Sequence, residues 1–181
     1  MKDVFDVINN RRSIREYKKE QIKDEEIKKI LDAGFMAPSA RAAKPWYFTV
    51  IQNKELLKEI DKISLEVMGK SGDEFLESIA KVKNNILHDA PTVIIVSGKK
   101  DAPNLQADCS AAIENILLAA EGLNIGSCWI GLIQSFFKDK KNIEKLQLPK
   151  EYIPLYAITL GYKTKENEKI SRDKSNYDWI K

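Results

Sequence analysis

Residues 109–131 read "CSAAIENILLAAEGLNIGSCWIG", and this stretch sets the architecture that we expect for the chain. Its first half is helical, with apolar residues around almost the whole circumference and only Glu114 and Asn115 interrupting, which is typical of a helix buried on every side. Gly122 is the expected residue just after the helix, and residues 125–131 form a short strand between glycines. A buried helix that leads into a strand indicates a sheet covered by helices.

Four strands and about six helices are predicted in all. Aromatic and β-branched residues, or continuous apolar runs bounded by turn residues, predict the strands, and helical spacing of apolar residues predicts the helices. The predicted strands cover residues 45–51, 92–98, 125–131 and 155–161. The predicted helices cover residues 3–10, 54–67, 73–87, 104–121 and 135–147, and one more begins at Asp24 and is stopped by Pro38. This mixed, not strictly alternating order favours an α+β fold.

Length and composition indicate an ordinary folded protein. At 181 residues the chain has the length of a single domain, and we expect one domain over residues 1–181. Its hydrophobic share of 43% suffices for a core and excludes a disordered or collagen-like protein. The formal net charge is only +3 and the lysines are scattered, which argues against a nucleic-acid partner.

Export signals, membrane spans and metal-site spacings are missing from the sequence. There is no apolar leader segment and no run of about 18 apolar residues. The two cysteines, Cys109 and Cys128, have no CxxC spacing and predict neither a disulfide framework nor a zinc site. We therefore expect a cytoplasmic protein with reduced cysteines, no metal and no membrane partner.

Side chains alone offer little catalytic chemistry. The single histidine, His88, lies between a predicted helix and a predicted strand, where a structural role is expected, and without it no Ser/His/Asp or Cys/His triad forms. Among the carboxylates only Glu114 has an apolar setting. A cofactor is therefore expected to carry any reaction. No G-x-G-x-x-G follows a predicted strand and no P-loop exists, so the sequence supports neither a Rossmann dinucleotide site nor a P-loop nucleotide site.

The stretch "RRSIREY", Arg11 to Tyr17, gathers three arginines around Ser13. Guanidinium groups are planar forked donors that match phosphate oxygens two at a time, and a serine hydroxyl adds a contact from the same loop. The cluster therefore suits a terminal phosphate. A solvated basic turn whose arginines pair with helix carboxylates explains the same residues.

The stretch "MAPSARAAKPWYF", residues 36–48, connects a predicted helix to a predicted strand. Its small residues allow a flat ring to approach the backbone closely. A plain connecting loop is the alternative interpretation.

Four segments together resemble the FMN-dependent nitroreductase family. They come in the family's order and at its spacing along the whole chain: "RRSIREY" (11–17), "APSARAAKPWYF" (37–48), "ENILLAAEGLNIGSCWIG" (114–131) and "LYAITLGYKTKENEKISR" (155–172). The resemblance implies a nitroreductase-like fold, in which helices flank a mixed, mostly antiparallel sheet. It also implies FMN as cofactor and an intertwined homodimer with two flavin sites at the interface.

The resemblance assigns roles to individual residues around the flavin phosphate and ring. The basic residue two positions after the serine, here Arg15, would reach the pyrimidine side of the flavin. The glycine-flanked strand, here Trp129, Ile130 and Gly131, would present backbone groups near the reactive N5. The residues that would bind the phosphate are Arg11, Arg12, Ser13 and Arg172, with Lys169 as a further basic residue after the last strand.

The loop at Pro38, Ser39 and Ala40 is implied to come from the partner subunit and to lie against the flavin. The chain departs from the family pattern just after it. Where the family usually has Asn-x-Gln-Pro-Trp, this chain has Ala42 and Lys44 in place of the two polar side chains. Lys44 either offers positive charge near the flavin or points to solvent.

The activity that the resemblance implies is hydride transfer from NADH or NADPH, through FMN, to a nitroaromatic, quinone or similar small acceptor by a ping-pong mechanism. The altered residues 42–44 keep a second interpretation open, namely a flavin protein that stores, senses or fragments FMN without such turnover. A third interpretation, resting on the arginine cluster alone, is a binding module for nucleotides or nucleic acid.

Overall fold

A computed structural model describes residues 3–166 and 170–181 of the chain. Its helices are α1 (Val4–Asn10), α2 (Asp24–Phe35), α3 (Lys54–Met68), α4 (Glu74–Val82), α5 (Leu105–Gly122) and α6 (Lys140–Glu144), with 3₁₀ segments at Ala40–Ala42 and Leu132–Lys138. Its strands are β1 (Trp46–Ile51), β2 (Thr92–Lys99), β3 (Ile125–Ile130) and β4 (Tyr152–Tyr162).

The four strands form one sheet in the order β1-β2-β4-β3, and each neighbouring pair is antiparallel. The α+β expectation is therefore confirmed. The parallel pairing in the described residues is an isolated bridge between Ser13 and Ser127, which lies beside β3 at the edge of the sheet.

Helices cover both faces of the sheet. Alternate residues of β2 point to opposite faces, so Ile94 and Val96 pack in one core with α2 and α5, whereas Val93 and Ile95 pack in another with α3. Both cores are closed to solvent, which explains why β2 is an uninterrupted apolar run.

The central helix is less fully enclosed than its sequence predicts. Most of the apolar residues of α5 are buried, but Gln106, Ala107 and Glu114 are exposed and Leu118 is only half-buried within one chain. Glu114 therefore does not sit in the apolar setting that we expected for it.

Two predicted helices end or begin elsewhere because a side chain binds nearby backbone groups, and the residue expected just after a third helix is a different one. The fourth helix stops at Val82 instead of residue 87, since the Asp61 carboxylate accepts hydrogen bonds from the backbone amides of Ile86 and Leu87 at 2.7 and 2.9 Å. Gly122, expected just after α5, is instead its last residue. Asn124, at φ 59°, provides the left-handed residue after the helix, a conformation that Asn tolerates well.

The predicted helix over residues 135–147 is two shorter pieces. Ser135 does not cap it but is buried within the 3₁₀ segment Leu132–Lys138. Asp139 caps α6 instead, and its carboxylate accepts from the Lys141 amide at 2.9 Å.

Candidate functional site

The arginine loop, defined here as residues 11–17, is attached to the free edge of β3. The Ile14 amide donates to the Ser127 carbonyl at 2.9 Å, and Tyr17 bridges to Lys163 just beyond β4. Two sheet contacts therefore fix both ends of the segment from Ser13 to Tyr17.

Glycines in the sheet let this loop lie close. A Cβ on Gly126 would come within 2.9 Å of the Ile14 side chain, and a Cβ on Gly161 would come within 2.7 Å of the Tyr17 ring. The Tyr17 hydroxyl donates to the Ile14 carbonyl at 2.5 Å and lies 2.8 Å from the Thr159 hydroxyl. Burial raises the pKa of Tyr17, so this hydroxyl stays a neutral donor.

The first two arginines have different partners. The Arg11 Nε atom lies 3.5 Å from a Glu114 carboxylate oxygen, in an ion pair that is partly open to solvent. Arg12 donates through one Nη atom to the carbonyls of Asn9 and Arg11, at 2.8 and 2.7 Å. Part of this guanidinium therefore hydrogen-bonds to carbonyl groups left free at the C-terminal end of α1.

A cavity of about 760 Å³ lies between the arginine loop and the C-terminal segment, defined here as residues 170–181. Its lining carries more positive than negative charge, because Glu114 is its one carboxylate among the described residues. The lining consists of Ile8, Asn9, Asn10, Arg11, Arg12, Glu114, Ile170, Ser171, Arg172 and Lys174. Forked guanidinium donors in this number suit a phosphate or similar anion.

Ser13 and Arg15 line an adjoining, more apolar cavity of about 300 Å³, which shares Arg12 and Ile170 with the larger one. The structure thus brings Arg11, Arg12 and Arg172 together, with Ser13 and Arg15 next to them. Lys169, also predicted, lies outside the described residues.

Cys128 on β3 is buried in the core shared with α3 and lines neither cavity. Burial raises its pKa, while the positive charge of Arg15 and the hydroxyl of Ser13 act in the opposite direction, as do Arg11 and Lys83 to a smaller extent.

The proline-serine loop, residues 36–44, is attached to the other end of α5. The Ala40 amide donates to the buried Asp108 carboxylate at 3.0 Å, and the Lys44 amide donates to the Ser39 hydroxyl at 2.9 Å. Asp108 was missed at the sequence level, since it resembles an ordinary acidic residue in the first turn of a helix.

Backbone strain marks this loop. Arg41, Ala42 and Lys44 have φ angles of 52°, 54° and 45°, in the left-handed region that non-glycine residues rarely occupy. Such residues persist where the surrounding structure holds them, and they concentrate at ligand sites.

Within one chain the two loops lie apart. Asp108 holds one loop and Glu114 contacts the other, which separates their anchors along α5 by about 9 Å. No described residue of the proline-serine loop, Pro38, Ser39, Ala40, Ala42 and Lys44 included, lines either arginine-loop cavity.

The end of β3 is also separate from these cavities. Trp129 is half-buried with its ring 5.0 Å from that of Tyr156, Ile130 is buried, and Gly131 is exposed just after the strand. None of the three lines the arginine-loop cavities.

His88 lies in the turn before β2, where its amide donates to the Asn85 side chain. Burial lowers the pKa of His88, and Lys83 and Arg15 lower it further. In the part of the chain that the structure describes, no three His, Cys, Asp or Glu residues are grouped to hold a metal ion. No described helix has the length and apolar character needed to cross a bilayer.

Comparison with known proteins supplies the family. A model of the Nitroreductase family matches residues 8–162, well over half of the chain. The chain belongs to the nitroreductase family. It is 34% identical, over 96% of its length and 92% of the other, to an Archaeoglobus fulgidus protein with the provisional name NADH dehydrogenase/NAD(P)H nitroreductase.

Solved nitroreductase structures share the whole fold. A nitroreductase from Bacteroides fragilis, crystallised with bound FMN, superimposes with a TM-score of 0.90 at 29% identity and full coverage of both chains. An FMN-dependent nitroreductase from Clostridium difficile gives a TM-score of 0.84 at 27% identity, over 98% of each chain. The nitroreductase-like fold expected from the sequence is therefore confirmed.

A buried ion pair connects the arginine loop to the C-terminal end of α5. The Lys163 ammonium lies 2.7 Å from the Glu121 carboxylate, and both side chains are almost inaccessible, at 6% and 4% exposure. Lys163 is also the residue that bridges to Tyr17. The pair thus connects the end of α5 to the loop.

We predict that Glu121→Gln lowers the free energy of unfolding by about 3 kcal/mol, because it leaves the Lys163 charge buried without its anion. The matched control is Glu16→Gln at the exposed Lys165–Glu16 pair, with an expected loss below about 1 kcal/mol. Urea unfolding at equal protein concentration measures both. Equal losses in the two variants would refute a special role for the buried pair.

Proposed function

We propose that the chain is an FMN-dependent oxidoreductase that transfers hydride from NADH or NADPH, through bound FMN, to a nitroaromatic, quinone or similar acceptor. One observation carries the proposal: Arg11, Arg12 and Arg172 line a single cavity beside Ser13, in a chain of the nitroreductase family. The FMN held by the similar Bacteroides fragilis structure supports the choice of cofactor.

The donor set fits the phosphate of FMN. Arg11 and Arg172 would hold the phosphate from two sides of the cavity, and the Ser13 hydroxyl would add a third donor. Arg12, with one nitrogen already committed to backbone carbonyls, would contribute mainly its charge. Lys169 remains a further candidate from the sequence.

Bound FMN would supply the hydride chemistry, for which the described side chains offer no alternative. Arg15, two positions after Ser13, would place a fixed positive charge at the pyrimidine edge of the ring. Because reduction adds negative charge there, this cation favours the reduced state over the oxidised one. Backbone groups of Trp129, Ile130 and Gly131 would orient the ring.

A homodimer would complete the site. The proline-serine loop and the arginine loop are held at separated places on α5, so a second chain would bring the partner's Pro38, Ser39, Ala40 and Ala42 against the flavin. Exposed apolar side chains support such an interface, among them Phe5 on α1 and Trp179 in the C-terminal segment, which are 70% and 76% exposed in one chain.

We predict that the FMN-loaded chain sediments as a dimer with one flavin per chain, because each site needs a loop from the other subunit. Analytical ultracentrifugation followed at the flavin absorbance measures this directly. A flavin-loaded monomer that is active would contradict the shared site.

One cleft for donor and acceptor predicts ping-pong kinetics, in which NAD(P)H leaves before the acceptor enters. Purified protein loaded with FMN should lose its visible flavin absorbance with NADH or NADPH, and should oxidise either donor continuously once a quinone is added. Bleaching without turnover would favour storage, sensing or fragmentation of FMN instead.

A cytoplasmic location with a pool of NAD(P)H suits this activity.

We predict that Arg11→Ala weakens FMN binding by about 1.5–3 kcal/mol, the usual contribution of a charge-assisted hydrogen bond. Lys58→Ala on α3, which removes an equally charged residue in an exposed pair with Glu55, is the control and should leave binding unchanged. Fluorescence titration of each chain with FMN gives the affinities. Equal affinities would remove Arg11 from the phosphate site.

A further inference from the structure

Two cations on the proline-serine loop have no carboxylate partner among residues 3–166 and 170–181. Arg41 and Lys44 are both exposed, and neither takes part in any of the ion pairs found in that part of the chain. Lys44 also stands where the family pattern has a neutral side chain. The exposed side of this loop is therefore positively charged.

The loop backbone that carries these cations is held in place by several hydrogen bonds. The Ala42 and Ala43 amides donate to the carbonyls of Ser39 and Ala40 at 3.1 and 3.0 Å. The Lys44 amide donates to the Ser39 hydroxyl, so a hydrogen bond joins the two ends of the segment 39–44. Arg41 and Lys44 are both in the left-handed conformation, which these bonds maintain.

The one carboxylate hydrogen-bonded to the loop among the described residues does not neutralise its exposed side. Asp108 is buried, at 6% exposure, and one of its oxygens accepts from the Ala40 amide. Its other oxygen has no partner in the described structure. Asp108 thus binds the backbone from the core, while the two cations point outward.

We propose that Arg41 and Lys44 make the site select acceptors that carry a negative charge, such as a quinone or nitroaromatic with a sulfonate or carboxylate group. The inference rests on the proposed function, since it requires this loop to face the flavin of the partner subunit. Small residues between the two cations leave room for an aromatic ring, and the cations attract its anionic substituent.

The reaction with such an acceptor balances without a further reagent. NADH gives two electrons and one proton as hydride, and becomes NAD⁺. A quinone takes up that hydride equivalent and one proton from solvent to become the hydroquinone. The anionic substituent is unchanged, so it acts only in recognition.

The test compares two quinones that differ in charge. The FMN-loaded full chain is assayed at saturating NADH with 1,4-naphthoquinone-2-sulfonate and with neutral 2-methyl-1,4-naphthoquinone. The ratio of their kcat/KM values cancels any general loss of activity. At low ionic strength we expect this ratio to fall about 5–10-fold in the Arg41→Gln/Lys44→Gln double variant and less in each single variant.

Two controls distinguish charge from other effects. Lys44→Arg keeps the charge and should keep the ratio. Lys54→Gln removes a lysine at the far end of β1, about 20 Å from Lys44, and should also keep it. In the unmodified chain, added salt should lower kcat/KM for the sulfonate much more than for the neutral quinone.

The inference would be overturned if both quinones are still reduced but the ratio neither changes in the double variant nor responds to salt. The proposed function would then remain intact. Failure of both quinones in the FMN-loaded, unmodified chain would overturn the proposed function and this inference with it. Should the double variant fold poorly, the single variants and the salt dependence of the unmodified chain still decide between charge selection and its absence.

Discussion

The hydrogen bond from the Ile14 amide to the Ser127 carbonyl is the contact on which the site depends. It attaches the arginine loop to the open edge of β3, and the bridge from Tyr17 to Lys163 attaches the same loop beyond β4. A flexible basic turn would lose conformational entropy on gripping an anion, whereas this loop has lost that entropy on folding. The sheet edge therefore prepares the guanidinium groups to bind.

Helix α5 holds the segments that form the rest of the site. It packs against α2 and the sheet along most of its length, and three of its acidic residues each hold a different segment. Asp108 binds the proline-serine loop, Glu114 pairs with Arg11, and Glu121 pairs with the buried Lys163. Because these contacts follow one another along the helix, a single chain presents the two loops at separate places. This separation agrees with the proposed site shared between two subunits.

The sequence predicts the secondary structure well wherever burial dominates, as in β2 and α5, because hydrophobic patterning follows the sheet and helix directly. It fails where one side chain redirects the backbone, as Asp61 does at residues 86 and 87. For the site, Arg11, Arg12 and Ser13 were recognisable since they are adjacent in the chain, and Arg172 through the family resemblance. Asp108 and Glu121 were not, because their roles come from long-range contacts that leave no local pattern.

Binding of a phosphate by the arginine loop, and thereby of the flavin attached to it, underlies every other role proposed for the site. Titration of the apoprotein with FMN and with riboflavin, which is the same ring system without the phosphate, tests it most directly. We expect riboflavin to bind at least about 100-fold more weakly, corresponding to the loss of one or two charge-assisted hydrogen bonds. Equal affinity for the two, or no uptake of FMN at all, would contradict it.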